Sequence, residues 1–150
     1  MGYQPYSFHK NLETRYTFIS RGKRIIEKVI EFTPTSIENI YNMGFGDLLQ
    51  DGSVDDKSNS NNGDIIKVLA TVIHVLFEFT LRHPHIKVIF TGSTKERTLL
   101  YRRILKTNFE NFGNKFIISG LIKTADNYSE VIFDPNKEVE YEAFFIKRIT

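Results

Sequence analysis

One segment limits the fold more than any other. Between Ile65 and Leu81 the chain is apolar almost throughout. Its polar residues, Lys67, Thr71, His74 and Glu78, with Arg82 just beyond, recur at three- and four-residue steps. On an α-helix these positions form one narrow stripe, and Ile65, Leu69, Val72, Leu76 and Phe79 fill the opposite face. A helix this apolar has to be covered on most sides, so it is the core element and the flanking segments must supply its cover. Lys67, His74 and Glu78 interrupt it too often for a membrane span. His83-Pro84 stops it.

The flanking segments read mainly as strands. Arg15 to Ser20 is rich in β-formers, and Lys23 to Phe32 is an apolar run with charges interspersed. Together they predict a β-hairpin, with Gly22 in its turn for tolerance of positive φ, and Pro34 ends the second strand. Residues 1–13 read as a polar-aromatic lead-in anchored by one or two aromatics. Ile40 to Asp47 alternates large Tyr41, Met43 and Phe45 with Asn42, Gly44 and Gly46. That is a strand with one nearly bare face, against which something should pack closely. Residues 50–64 contain a single hydrophobe, Val54, and read as a loop. Asn61, Asn62 or Asp64 can cap the core helix.

Ile86 to Thr91 predicts a buried strand. A second helix then opens with Ser93 and Glu96 as a capping box and runs to Gly113. Strands follow at Lys115–Ile122 and Tyr141–Ile149, with a shorter one at Ser129–Phe133. The order is ββ-β-α-β-α-β-(β)-β. This is an α+β fold, a mostly antiparallel sheet with two main helices, in one domain spanning 1–150.

Composition narrows the function. The chain has 150 residues, 41% of them hydrophobic, no Cys, and a formal charge of +2. Without Cys there is no disulfide scaffold, zinc finger, iron–sulfur site or thiol catalysis. The start, Met1-Gly2-Tyr3-Gln4-Pro5-Tyr6, matches neither a signal peptide nor a myristoylation pattern, so a cytoplasmic protein with no membrane association is expected.

The overall charge hides a local one. Residues 82–106 hold Arg82, Lys87, Lys95, Arg97, Arg102, Arg103 and Lys106 against Glu96 alone. Lys95, Arg102, Arg103 and Lys106 form a candidate surface for RNA, DNA or an acidic protein partner. Gly92-Ser93-Thr94, where strand meets helix, with Arg97 one turn inside, is a candidate phosphate or anion site, although it is not a P-loop. Ordinary helix capping explains the same residues. Arg97, Tyr101, Arg102 and His85 are the candidate catalytic groups, since an Arg–Tyr–His grouping can support metal-free RNA cleavage. Asp51, Asp55 and Asp56 are weak candidates for a hard cation. They lack the EF-hand pattern, and no metal is expected. No cofactor motif is present. The acidic residues can also pair with the basic block, within one molecule or across a homodimer.

Several phrases carry a resemblance: Tyr16-Thr-Phe-Ile-Ser, Tyr41-Asn-Met-Gly-Phe-Gly-Asp47, Ser60-Asn-Asn-Gly-Asp64, Val68-Leu-Ala-Thr-Val72, and Gly92-Ser-Thr-x-x-Arg97 with Leu100-Tyr-Arg102. From about residue 14 to about residue 121 the chain resembles an uncharacterised family of small bacterial proteins, a domain of unknown function common in Bacteroidetes. The resemblance implies a small bacterial cytosolic protein and no assigned activity. It marks Phe45–Asp47, Asn61–Asp64 and Gly92–Arg102, which are expected to converge at one sheet edge.

Three functional readings follow, in this order. The first is a binding or regulatory module that turns its basic helix to nucleic acid or an acidic partner. The second is a metal-independent ribonuclease-like toxin of a two-gene toxin–antitoxin or defence module. The third is an acyl-CoA- or nucleotide-phosphate-binding transferase-like domain. It ranks last because such a fold needs its cofactor helix to follow a splayed central strand, which the order of elements does not predict.

Overall fold

The computed structural model describes residues 4–55, 61–92, 94–112 and 114–149, the side chains of residues 111 and 112 excepted. Nine strands form one sheet. In chain order they are β1 (Phe8–Leu12), β2 (Arg15–Arg21), β3 (Ile25–Pro34), β4 (Ile40–Leu48), β5 (Val54–Asp55), β6 (Lys87–Phe90), β7 (Phe116–Thr124), β8 (Asn127–Ile132) and β9 (Ala143–Arg148). Helix α1 (Ile65–Arg82) lies between β5 and β6, and α2 (Lys95–Thr107) and the one-turn α3 (Phe109–Phe112) lie between β6 and β7. The sheet order is β1-β2-β3-β4-β6-β9-β7-β8, with β5 beside β4. All pairings are antiparallel except β4 with β6.

The α+β class and the order of the main elements are as the sequence predicts. Two strands are additions. The lead-in contains β1, which pairs with β2, and the loop at 50–64 contains the two-residue β5. The anchoring aromatics are Tyr6, stacked on Phe18 at 5.9 Å, and Phe8, edge-on to Tyr16 at 6.1 Å.

Helix α1 is buried along most of its length, from Val68 to Thr80. Phe79 stacks on Phe32 of β3, with ring centroids 3.8 Å apart, and Phe77 stacks on Phe116 of β7 at 4.3 Å. One helix thereby bridges both halves of the sheet. Its polar stripe is covered in the middle and exposed at Lys67 and Arg82. Thr71 is fully buried and accepts the backbone N–H of Tyr6 at 2.8 Å, and Lys67 Nζ lies 4.4 Å from the centre of the Tyr6 ring. Helix α2 packs on the same sheet face through Tyr101, edge-on to Phe90 at 5.2 Å. It ends at Asn108, whose backbone N–H and side-chain amide both donate to Ile104 O, and not at Gly113, which lies outside the described residues.

The segment before α1 is fixed by one buried side chain. The Asn62 amide donates to Ser20 Oγ (2.9 Å) and Arg24 O (2.8 Å), and its Oδ1 accepts from Arg24 N (2.7 Å). The backbone oxygen of Asn62 accepts from Lys23 N at 2.8 Å. The β2–β3 turn therefore docks on this segment, and Gly22 is needed for closeness: a Cβ there would lie 1.8 Å from Asn62 O. Positive φ is not its reason, since the glycines with positive φ are Gly52 and Gly63. Asp64 occupies the N-cap position without capping, its carboxylate accepting instead from Tyr6 Oη (2.6 Å) and Ser20 Oγ (2.5 Å).

The bare face of β4 is not closely packed at Gly44, where an added Cβ would meet only Glu31 O, at 3.9 Å. The two glycines give a contrast for measurement. In chemical denaturation Gly22→Ala should lose about 1–3 kcal/mol through overpacking. Gly44→Ala should lose nothing and gain up to about 1 kcal/mol, because Ala orders a strand at less entropic cost.

Candidate functional site

Strands β4 and β6 lie side by side for only three residues, Ile40–Asn42 against Lys87–Ile89. Strand β6 ends at Phe90, while β4 continues along β3 to Leu48. Strand β5 covers β4 only at Asp47 and Leu48. Between those points, over Met43 to Gly46, no strand among the described residues pairs with the edge of β4 facing β6. Successive backbone groups of a strand point to alternate sides, so this edge presents hydrogen-bonding groups to whatever fills the gap.

The gap is a cavity of about 210 Å³, walled by Asn42–Phe45, Leu69 of α1, Thr91 and Gly92, and Arg97 and Tyr101 of α2. A second hollow of about 430 Å³ adjoins it and shares Phe45 and Arg97. This one lies between the starts of the two helices, with Asn61–Ile65 on one side, Thr94 and Glu96 on the other, and Lys28 in its wall. Lys28 is buried and paired with Asp47, directly opposite it across β3 and β4. Phe45–Asp47, Asn61–Asp64 and Gly92–Arg102 do converge, and they meet in the middle of the sheet, where its two halves part.

Tyr101 is the chemically distinctive group. Its side chain is 2% exposed, it lines the cavity, and its hydroxyl has no hydrogen-bond partner among the described residues. Burial holds the phenol far above the ordinary tyrosine range, against a smaller opposing effect of Arg97. At neutral pH it is an uncharged O–H donor facing space that a ligand can occupy.

The strand-to-helix turn is built for tight packing. A Cβ on Gly92 would lie 2.4 Å from Thr98 N. The Gly92 N–H donates to Thr98 Oγ1 at 3.1 Å, and the Arg97 N–H donates to Thr94 Oγ1 at 3.2 Å. Thr94 is thus the N-cap, not Ser93, which lies outside the described residues. The amides of Gly92 and Arg97 are occupied within the turn, so the anion site expected there retains mainly the Arg97 side chain, half-buried between the two hollows.

The other candidates disperse. His85 is exposed and precedes β6, whereas Tyr101 and Arg97 lie beyond its other end. The seven residue steps from His85 to Gly92 span on the order of 20 Å in extended chain, so the Arg–Tyr–His grouping is not assembled. Arg102 turns away from Tyr101 and donates to Lys137 O at 2.5 Å. In the basic block, Lys95 pairs with Glu140 (2.6 Å), Lys87 with Glu130 (2.6 Å) and Arg82 with Glu78 (3.8 Å), while Arg103 and Lys106 are exposed. Asp47 and Asp64 are engaged by Lys28, Tyr6 and Ser20 rather than by this block. Asp51 accepts from Ser53 N and Oγ, Asp55 lies in β5, and Asp56 is outside the described residues. Among the described residues no group of three or more His, Cys, Asp or Glu side chains is placed to hold a metal. No helix among them is long and apolar enough to cross a membrane.

Fold and site together define a small α+β domain whose one parallel strand pair diverges over a buried tyrosine. The chain belongs to the family of unknown function DUF6934, whose model matches residues 2–149. The family thus extends past residue 121, through β8 and β9, where the sequence phrases stop. No curated protein and no solved structure matches the chain.

If the Tyr101 hydroxyl serves a ligand and not the fold, its removal should spare stability. Tyr101→Phe is expected to change unfolding free energy by less than about 1 kcal/mol, with stabilisation the more natural sign. Alkali gives a second readout. Burial pushes the Tyr16 phenol up to about 12 and Tyr101 beyond that, so the folded chain keeps protons that the unfolded chain releases from about pH 10. The contribution of these two phenols should be level below pH 10 and fall as pH rises through it, less steeply in Tyr101→Phe. Denaturation midpoints across that range measure both.

Proposed function

We propose that this protein binds an acyl thioester of a pantetheine carrier, of the acyl-CoA type, and transfers the acyl group. The observation that carries this reading is the edge of β4 that no described strand pairs, beside the Tyr101 hydroxyl, which has no hydrogen-bond partner among the described residues. A slender chain with spaced amides can add to such an edge as a short strand does, through main-chain hydrogen bonds. The pantetheine arm has that chemistry, and the 210 Å³ gap suits its width. The larger hollow at the helix starts accepts the polar end of the ligand, with Lys28 and Arg97 in its wall. Attack by an acceptor amine or hydroxyl breaks the carbon–sulfur bond. The acceptor's proton passes through water to the departing sulfur, which leaves as the free thiol, while the Tyr101 O–H donates a hydrogen bond to the charge that develops on the thioester. Strand β4 parts from its parallel neighbour β6 after three residues, and α1 comes after it in the chain beyond the two-residue β5.

The other readings keep less. A nucleic-acid surface retains Arg103 and Lys106 without acidic partners among the described residues, and a ribonuclease site has no histidine beside Arg97 and Tyr101.

Thermal-shift titrations separate them. Acetyl-CoA and pantetheine should each raise the melting temperature saturably, by an amount equivalent to about 2.7 kcal/mol at a hundredfold excess over Kd. Arg97→Ala should weaken the CoA effect, and Tyr101→Phe should slow acyl transfer by roughly 10²-fold or more. No response to any thioester would overturn the proposal. A response to adenosine 3′,5′-bisphosphate without one to pantetheine would favour nucleotide-phosphate binding, and RNA binding that falls steeply with salt would favour the basic helix.

A further inference from the structure

The two outer strands of the sheet are unlike each other. Strand β1 has the devices that blunt an open edge: Lys10 and His9 along it, an irregular register between Lys10 and Leu12, and Pro5 just before it. Strand β8, Asn-Tyr-Ser-Glu-Val-Ile, has no Lys, Arg or Pro, and its register with β7 is unbroken over all six residues. Its single charge, Glu130, is exposed but compensated, accepting from Lys87 Nζ at 2.6 Å and from Ser119 Oγ. An open edge with no Lys, Pro or bulge along it is a template for another strand. It is also apolar where it should be polar. Tyr128 is 58% exposed and Ile132 73% exposed, on the sheet face that the helices leave uncovered.

We propose that the β8 edge joins a second copy of this chain, antiparallel about a two-fold axis at Glu130, so that one sheet runs through both copies. The spacing of the apolar residues selects this partner. Tyr128 and Ile132 stand two residues either side of Glu130 on the same face, so the axis sets Tyr128 of each copy opposite Ile132 of the other. An aromatic beside a β-branched residue is a favourable cross-strand pair, and here it occurs twice. An axis at Ser129 would set Tyr128 against Glu130 and Ile132 against Asp126, and one at Val131 would set Glu130 against Ile132. The two facing Glu130 carboxylates are each compensated by Lys87 of their own chain.

Sedimentation of the whole protein from micromolar to millimolar concentration tests the proposal. A monomer–dimer equilibrium is expected. Ile132→Lys should weaken it by roughly tenfold or more, whereas Leu12→Lys at the exposed β1 edge should leave it unchanged. The register has its own test, because the chain has no cysteine. A Tyr128→Cys chain mixed with an Ile132→Cys chain should form a disulfide-linked dimer on oxidation, and neither variant alone should. A wild type that stays monomeric throughout, a dimer that survives Ile132→Lys, or no crosslink in the mixture would each overturn the proposal.

Discussion

A three-residue parallel pairing joins the two halves of this molecule. Strands β1 to β4 form one antiparallel set and β6 to β9 another, and β4 against β6 is the pairing through which they meet. Three residues of ladder are a weak hinge by themselves. Helix α1 makes the joint firm, because it follows β4, precedes β6 and buries aromatics from both halves against itself. The short pairing and the long helix together create the gap. Strand β4 is committed to β3 as far as Asp47, β6 stops at Phe90, and the space between them is floored by α1 and α2.

Polar groups around that gap are held in place by one another. Asn62 locks the chain entering α1 to the β2–β3 turn, and Asp64 ties it to Tyr6 and Ser20. Lys28 and Asp47 form a buried pair in the adjoining wall. A buried ion pair gains little over apolar residues of the same size, while losing one partner leaves an uncompensated charge. Tyr101 lines the gap with a hydroxyl that has no hydrogen-bond partner among the described residues, as the Tyr16 hydroxyl has none in the core.

Much of the architecture is legible in the amino-acid sequence. The 3.6-residue pattern of Ile65–Leu81 marks α1, and the period-2 pattern of Ile40–Asp47 marks β4. Strand β1 is not legible, because an edge strand buries little, and Phe-His-Lys-Asn-Leu has no apolar alternation. Strand β5 is invisible because two residues have no period, and only their pairing with Asp47 and Leu48 defines them. For the site, Arg97 and Tyr101 are visible as neighbours on one helix face. The pairing within the basic block is not legible for a simple reason: counting charges along the chain omits Glu130 and Glu140, which arrive from β8 and from the segment before β9.

The sequence by itself determined the elements and their class, because apolar periodicity and turn residues act locally. It also excluded thiol and disulfide chemistry, since no cysteine is present. Only the tertiary structure decided which groups meet. Where two strands part depends on the lengths of three neighbours at once, and whether a tyrosine hydroxyl finds a partner depends on every element around it. A charge becomes paired through residues distant in the chain, and no local pattern records that distance.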